Sequence, residues 1–230
     1  MQAVILAAGK GTRMKALTQS VPKPMLQVLG KTLIEHKLDA LPESVDEVIL
    51  IIGYQGHVIR EHFGDSYKGR TIRYVTQEEL NGTMGALALA SPYLTERFVV
   101  MMGDDIYAKE DIEACLAAPG WSVLVEETER MGAGGRMVMD EARNIVAIEE
   151  GDHTGKPGLM NTNLLALDPT LFSYPLVPKA PGSDEYGLPQ TVVAASQASG
   201  IPLRAVPATF WIQVTAPEDL ARAEAILAGR

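Results

Sequence analysis

Three unbroken apolar runs constrain this chain more than any other feature. They are "AVILAA" (residues 3–8) and the apolar centres of "EVILIIGY" (47–54) and "RFVVMMGDD" (97–105). A strand with one wet face alternates apolar and polar residues. A run without alternation is buried on both faces, as in a parallel sheet covered by helices. Segments with helical spacing lie between or beside the runs: "TLIEHKLDAL" (32–41), with Leu33, Leu38 and Leu41, "HVIREHF" (57–63) and "TMGALALASPYL" (83–94), the last ending near Pro92. "TIRYVTQ" (71–77) alternates as a further strand. This order predicts βαβ units in an α/β, Rossmann-like, mostly parallel sheet with helices on both faces.

After Trp121 the pattern changes. "WSVLVEE", "GRMVMDE", "NIVAIEE" and "GLMNTNLLAL" read as strands with short connections. They predict added mixed or antiparallel strands in the C-terminal half, forming a wall over the site. "YGLPQTVVAASQA" and "APEDLARAEAIL" read as helices, the second opening with Thr215 and Glu218 at capping-box spacing. "VPKAPGSDEYG" is rich in Pro and Gly, too short for a domain linker, and reads as a surface loop.

The 230 residues, 47% of them hydrophobic, can bury a full core as a single domain. A net charge of -9 argues against a general nucleic-acid binder. It leaves room for an anionic ligand held by a few local cations. The sole cysteine, Cys115, has no partner for an internal disulfide, which suits a reducing cytoplasm. It reads as a small buried hydrophobe in a helix over 111–118. No segment approaches the roughly 20 apolar residues that span a bilayer, so no membrane partner and a cytoplasmic location are expected. His36, His57, His62 and His153 lack zinc-ligand spacing.

In parallel sheets ligands bind beyond the carboxyl ends of the strands. The first run leads there into "LAAGKGTRM" (6–14). Gly9 and Gly11 supply G-x-G, but a dinucleotide fingerprint needs glycine where Met14 stands. A P-loop needs Gly, Lys and a hydroxyl at 14–16, and the chain has Met14, Lys15 and Ala16. What remains is a glycine turn whose amides face an anion, with cations at Lys10, Arg13 and Lys15. Arg13 offers a rigid fork to phosphate oxygens. In "VPKPM" (21–25) two prolines stiffen the backbone around Lys23.

"LAAGKGTRM" followed by "PKPML" closely resembles the signature of sugar-1-phosphate nucleotidyltransferases, including the uridylyl- and thymidylyltransferases of glucose 1-phosphate and the N-terminal domain of N-acetylglucosamine-1-phosphate uridyltransferase. The likeness continues through "GKTLIEH", "TQEELNGTMGAL", "MGDDIY", "MNTNLLAL" and "FWIQVTAPEDL", so it spans nearly the whole chain. The resemblance implies transfer of a nucleotidyl group from a nucleoside triphosphate to a sugar 1-phosphate, with release of pyrophosphate and use of Mg2+. It divides the single domain (1–230) into a nucleotide-binding part (1–120) and a sugar-phosphate-binding part (121–230). By the same resemblance Arg13 steadies the leaving β- and γ-phosphates, and Lys23 sits near the attacking phosphate and the α-phosphate. Leu6, Ala8, Gly9, Gly11 and Thr12 line the nucleotide. Gln77, Gly82 and Thr83 match the base-reading segment. Gly135, Glu149 and Asn161 match sugar contacts.

Asp104 ends a buried strand and is the expected metal ligand, while the adjacent Asp105 points the other way. The resemblance implies a second metal ligand at Gln213, where members of that family commonly carry Asp, or Asn; Gln keeps a carbonyl oxygen but lacks the charge of Asp. A carboxamide at Gln77 can pair with the carbonyl and imide N–H of uracil or thymine, which favours UTP or dTTP. Guanine also offers an N–H beside a carbonyl, so a mannose-1-phosphate guanylyltransferase is the alternative. Gln213 motivates a second alternative, a nonenzymatic protein that binds nucleotide sugars. The sugar is not legible, nor is whether copies of the chain form a homo-oligomer.

Overall fold

The computed structural model describes the backbone of residues 1–230 and the surroundings of every residue except Ala133 and Gly134. In chain order the strands are β1 (Gln2–Ala7), β2 (Gln27–Val28), β3 (Lys31–Thr32), β4 (Glu47–Ile52), β5 (Ser66–Tyr67), β6 (Arg70–Thr76), β7 (Phe98–Met102), β8 (Asp105–Tyr107), β9 (Trp121–Thr128), β10 (Ala133–Met139), β11 (Ile145–Asp152), β12 (Gly158–Leu167), β13 (Leu203–Pro207) and β14 (Trp211–Gln213). The α-helices are α1 (Leu33–Ala40), α2 (Gly56–Phe63), α3 (Thr83–Ala88), α4 (Lys109–Ala117), α5 (Leu188–Ser199) and α6 (Pro217–Ala228).

The three apolar runs form the middle of one sheet. β1 lies between β4 and β7, parallel to both, with Leu6 opposite Ile51 and Met102. β6 extends this parallel block beyond β4. Alternate residues of each run feed different cores. Val4, Leu6, Ile49, Ile51 and Val100 pack with Met84 of α3 and Val192 of α5. Ala3, Ile5, Leu50, Val99 and Met101 pack with Ile34 of α1, Ile59 of α2 and Ile112 of α4. Both faces are therefore dry, which is why the runs lack alternation. Each such Leu or Ile contributes about 1.5–3 kcal/mol by burial.

The C-terminal half adds the expected mixed strands. β12 joins the other edge of β7 antiparallel, and β10 and β11 continue the sheet beyond it. β9 also pairs with β12, and β13 runs parallel to β9. Cys115 is fully buried in α4, as a small hydrophobe, and burial pushes its thiol up to about 12. No helix among the described residues is long and apolar enough to cross a membrane.

Two local expectations need correction. The helix expected over 83–94 stops at Ala88, and a short 3-10 turn follows at Ser91–Tyr93. Pro92 is the second residue of that turn, where its missing N–H needs no acceptor. At α6 the capping acid is Asp219 rather than Glu218. Its Oδ2 accepts from the backbone N–H groups of Thr215 and Ala216, each at 2.8 Å. Pro217 takes the first helical position, so the cap falls on Ala216, one residue past the expected Thr215.

The end of α1 is tied to two hairpins through Asp39. Its carboxylate accepts from Lys31 and Lys68, each at 2.6 Å, and from the Tyr67 hydroxyl at 3.0 Å. Partial burial pushes this carboxyl up, but the three donors outweigh it and hold it lowered from 3.8 to about 2. The stabilisation is present above the unfolded value and is lost as pH falls through about 2. Asp39→Asn is therefore expected to cost roughly 1–2 kcal/mol at pH 7. The urea-unfolding gap between variant and parent should shrink from about pH 4 and close below about pH 2, whereas a pH-independent gap would show that the carboxylate charge is not its source.

Candidate active site

The parallel register brings the ends of β1, β4, β6 and β7 to one rim. The loop after β1 is braced there by its neighbours. Gly103 N donates to Leu6 O at 2.8 Å, and Tyr54 N donates to Ala8 O at 3.1 Å. Gly11 takes φ +61, and a Cβ on it would come within 2.8 Å of Lys23 Cβ. Only glycine lets this turn lie against the proline-flanked segment. Thr18 Oγ1 donates to Gly11 O at 3.0 Å and closes the loop.

Lys23 opens a 3-10 turn, Lys23–Met25, and is only 9% exposed. Its Nζ donates to Asp104 Oδ2 at 2.5 Å. This pair spans the gap between the segment after the opening loop and the turn after β7. Gly11, Thr12, Arg13, Lys23, Asp104 and Thr215 are among the residues around a 250 Å³ cleft. It adjoins a larger cavity of about 660 Å³, and Leu6, Gly9 and Arg13 line both.

Asp105 faces away from the cleft, as strand alternation predicts. It is 2% exposed, and its Oδ2 accepts from the Tyr107 hydroxyl at 3.1 Å. Lys37, fully buried on α1, lies beneath this turn. Its ammonium donates to the carbonyls of Leu33 and Asp105. Burial pushes the Lys37 ammonium down and the Asp105 carboxyl up, each partly restored by the other. The sequence reading missed Lys37, since a lysine in an amphipathic helix normally faces water. β14 pairs antiparallel with β8 and sets Gln213 directly opposite Asp105. Gln213 is exposed and lines the larger cavity. Among the described residues no three His, Cys, Asp or Glu side chains gather as a metal cage. Asp104 lines the smaller cleft and Gln213 the larger cavity, so Asp104 is the carboxylate placed for magnesium, which often takes one or two protein oxygens and fills its shell with water and phosphate.

The larger cavity collects Leu6, Ala8, Gly9, Arg13, Gln77, Gly82, Thr83, Gly135, Asn161 and Gln213 from the residues singled out by sequence. Gln77 is 6% exposed, and its Nε2 donates to Asn81 Oδ1 at 3.0 Å. Nε2 also donates to Gly82 O at 3.4 Å, so the amide nitrogen is engaged by the protein and Oε1 is left as the acceptor. Gly82 takes φ +96, and a Cβ there would strike the Tyr186 backbone.

Glu149 is not on the cavity wall. It sits opposite Arg136 and pairs with that guanidinium. Its neighbour Glu150, opposite Gly135, lines the cavity instead. Strand alternation sends adjacent acids to opposite faces, and which one faces inward depends on a register the sequence does not show. Glu150 Oε1 accepts from Gln190 Nε2 at 2.8 Å.

The loop read as a plain surface segment does more than connect. Lys179 N donates to Glu185 O at 2.8 Å, and Gly187 N to Val177 O at 3.0 Å. Tyr186 N donates to Asn81 O at 2.8 Å, and Met84 N to Tyr186 O at 3.0 Å. Leu188 N donates to Thr83 Oγ1 at 3.0 Å. The loop thus zips the second half of the chain onto the Gln77–Thr83 segment, and Lys179 and Glu185 line the cavity.

A family model described as nucleotidyl transferase matches residues 2–162. The bifunctional protein GlmU of Methanocaldococcus jannaschii is 30% identical over 230 residues, covering 99% of this chain and 54% of that protein. The chain thus spans about half the length of this relative. UTP–glucose-1-phosphate uridylyltransferase AglF of Haloferax volcanii is 30% identical over 235 residues, covering 97% of this chain and 95% of that protein. The crystal structure of HddC from Yersinia pseudotuberculosis superposes with a TM-score of 0.73 at 25% identity, covering 98% of this chain and 99% of HddC. The family match, the two alignments over nearly the whole of this chain and the shared fold together establish that this chain belongs to the nucleotidyl transferase family.

Proposed function

We propose that this chain transfers a nucleotidyl group from a nucleoside triphosphate to a sugar 1-phosphate. The observation that carries the reading is the meeting of Arg13, Lys23 and Asp104 around one cleft that opens into the cavity holding Gln77. A phosphate oxygen of the sugar 1-phosphate attacks the α-phosphorus. The bond from that phosphorus to the bridging oxygen breaks, and pyrophosphate leaves with the electron pair. No covalent intermediate on the protein is needed, so the work is alignment and charge neutralisation.

Arg13 takes the β- and γ-phosphates as pyrophosphate departs. Lys23 carries the charge of the attacking phosphate and the α-phosphate. Its partnership with Asp104 keeps the ammonium in place before the anions arrive. Asp104, with Gln213 of β14 opposite the adjacent Asp105, would hold magnesium, which supplies further positive charge to the phosphates when bound. Residues 1–120 bind the nucleotide, and residues 121–230 supply the sugar wall, with Gly135, Asn161 and Glu150 on it. Gln77 Oε1 accepts the imide N–H of uracil or thymine, an N–H that guanine also offers at N1, so this contact suits UTP, dTTP or GTP as the donor. Cytosine lacks that proton. Among these donors the AglF similarity supports UTP.

Arg13→Ala and Lys23→Ala are each expected to lower turnover roughly a hundredfold while the circular dichroism spectrum stays native. Pyrophosphate release from either purified variant at near-parental rate would sink the assignment. UTP or dTTP should be used at least about tenfold better than GTP. Specificity constants equal or better with GTP would make the chain a guanylyltransferase.

Metal dependence offers a separate check. With a single carboxylate the protein alone should bind magnesium weakly, because the ion sheds water reluctantly. Asp104→Ala should abolish activity, and Gln213→Ala should reduce it far less. Gln213→Asp adds a hard anionic ligand and should lower the magnesium midpoint at fixed nucleotide. An unchanged or raised midpoint would move Gln213 away from the ion. If the native chain releases no pyrophosphate with any nucleotide, sugar phosphate and divalent ion, a binding protein for nucleotide sugars becomes the better reading.

A further inference from the structure

Asn163 occupies a backbone conformation that favours glycine, at φ +60, and it lines the larger cavity. The register of β12 against β9 shifts between Asn161 and Leu165, so the strand carries a bulge at this point. A bulge of this kind needs a left-handed residue, and glycine meets the need at least steric cost. Asparagine tolerates the region better than most side chains, yet it gains nothing over glycine from the backbone alone. What it adds is a carboxamide on the cavity wall. Sparsely populated conformations kept at a site are a pointer to function.

The orientation of that carboxamide follows from a chain of hydrogen bonds. Asn163 N is a backbone donor and nothing else, and it lies 2.8 Å from Asn161 Oδ1. This identifies which end of the Asn161 amide carries oxygen. Asn161 Nδ2 must then be the donor in its 2.9 Å contact with Asn163 Oδ1. The Asn163 oxygen is thereby used, and its Nδ2 has no protein partner among the described residues. Asn163 presents two N–H donors to the cavity, and Asn161 retains one. Across the same wall Glu150 keeps Oε2 as an acceptor while Oε1 is occupied by Gln190. Donors beside an acceptor are what a hydroxyl-rich ring requires, since each hydroxyl both donates and accepts.

We infer that Asn163 is a specificity-determining residue for the sugar, donating through Nδ2 to a ring hydroxyl oxygen of the sugar 1-phosphate. The inference rests on the reading of this cavity as a sugar 1-phosphate site. It assigns the residue two separable jobs: its oxygen clamps Asn161, and its nitrogen meets the sugar.

Two substitutions separate these jobs. Asn163→Gly removes both while easing the backbone, so its melting temperature should stay within about 2 °C of the parent. Asn163→Asp keeps an oxygen for the Asn161 clamp and tolerates the left-handed backbone, but replaces the donor with an anionic oxygen. In initial-rate assays each variant should raise KM for the sugar 1-phosphate roughly five- to tenfold, with KM for the nucleotide within about twofold of the parent. A sugar KM unchanged in Asn163→Gly overturns the inference. So does a normal KM in Asn163→Asp beside a raised one in Asn163→Gly, which would leave Asn163 as a clamp alone. Calorimetric titration with glucose, mannose and N-acetylglucosamine 1-phosphates accompanies the kinetics. If the parent releases no pyrophosphate but binds one of these, the transferase reading fails and the titrations of the two variants decide the role of Asn163. If the parent releases no pyrophosphate and binds none of them, both readings fall.

Discussion

The pairing of β1 with β4 on one side and β7 on the other is the constraint on which the rest of the molecule depends. It is parallel, so all three strands end at the same rim. It is buried on both faces, so its register is held by the packing of two separate cores. A slip of one residue would send every apolar side chain to the opposite core. The loops that follow the strands have no freedom to separate. The glycine turn, Gln77 and Asp104 are therefore delivered to one place by packing that has no chemistry of its own.

At that place the Lys23–Asp104 pair at 2.5 Å links two loops that are 81 residues apart in sequence. Lys23 is nearly buried, and a buried charge must be paired or neutralised. Asp104 meets that need before any ligand binds. The arrangement is well matched to an anionic substrate, because a phosphate can replace the carboxylate as partner to the ammonium. Below it, Lys37 holds the carbonyl of Asp105 from the inside. The turn that presents Asp104 is thus gripped from both its wet and its dry side.

The second half of the chain contributes a wall rather than a second core. β12 enters the sheet beside β7, so the wall and the rim share one framework. The Pro- and Gly-rich loop ending at Tyr186 hydrogen-bonds to Asn81 and Met84. A change in either segment is felt by the other through backbone bonds, not through flexible side chains. Gly82 belongs to this contact, because any side chain would collide with Tyr186. A glycine that sequence reading assigns to base contact has a packing reason as well.

Much of this was legible in the sequence because its physics is local. Unbroken apolar runs require burial on both faces, and their alternation with helical spacing requires a parallel sheet. The glycine turn, Arg13 and the proline-flanked Lys23 mark an anion site within a single stretch of chain. Cys115 could be read as core from its helix. Other features depend on register or on distant contacts, and those only the tertiary structure decided. Glu149 and Glu150 are indistinguishable until β11 is set against β10. Thr215 and Glu218 have the spacing of a cap, but Pro217 moves the start of α6 and hands the cap to Asp219. Lys37 reads as a surface residue until β8 passes over α1. Asn163 reads as an ordinary strand residue until the bulge in β12 turns its backbone left-handed. Sequence spacing determines which residues share an element, whereas which face they present is decided by the neighbouring element that packs against it.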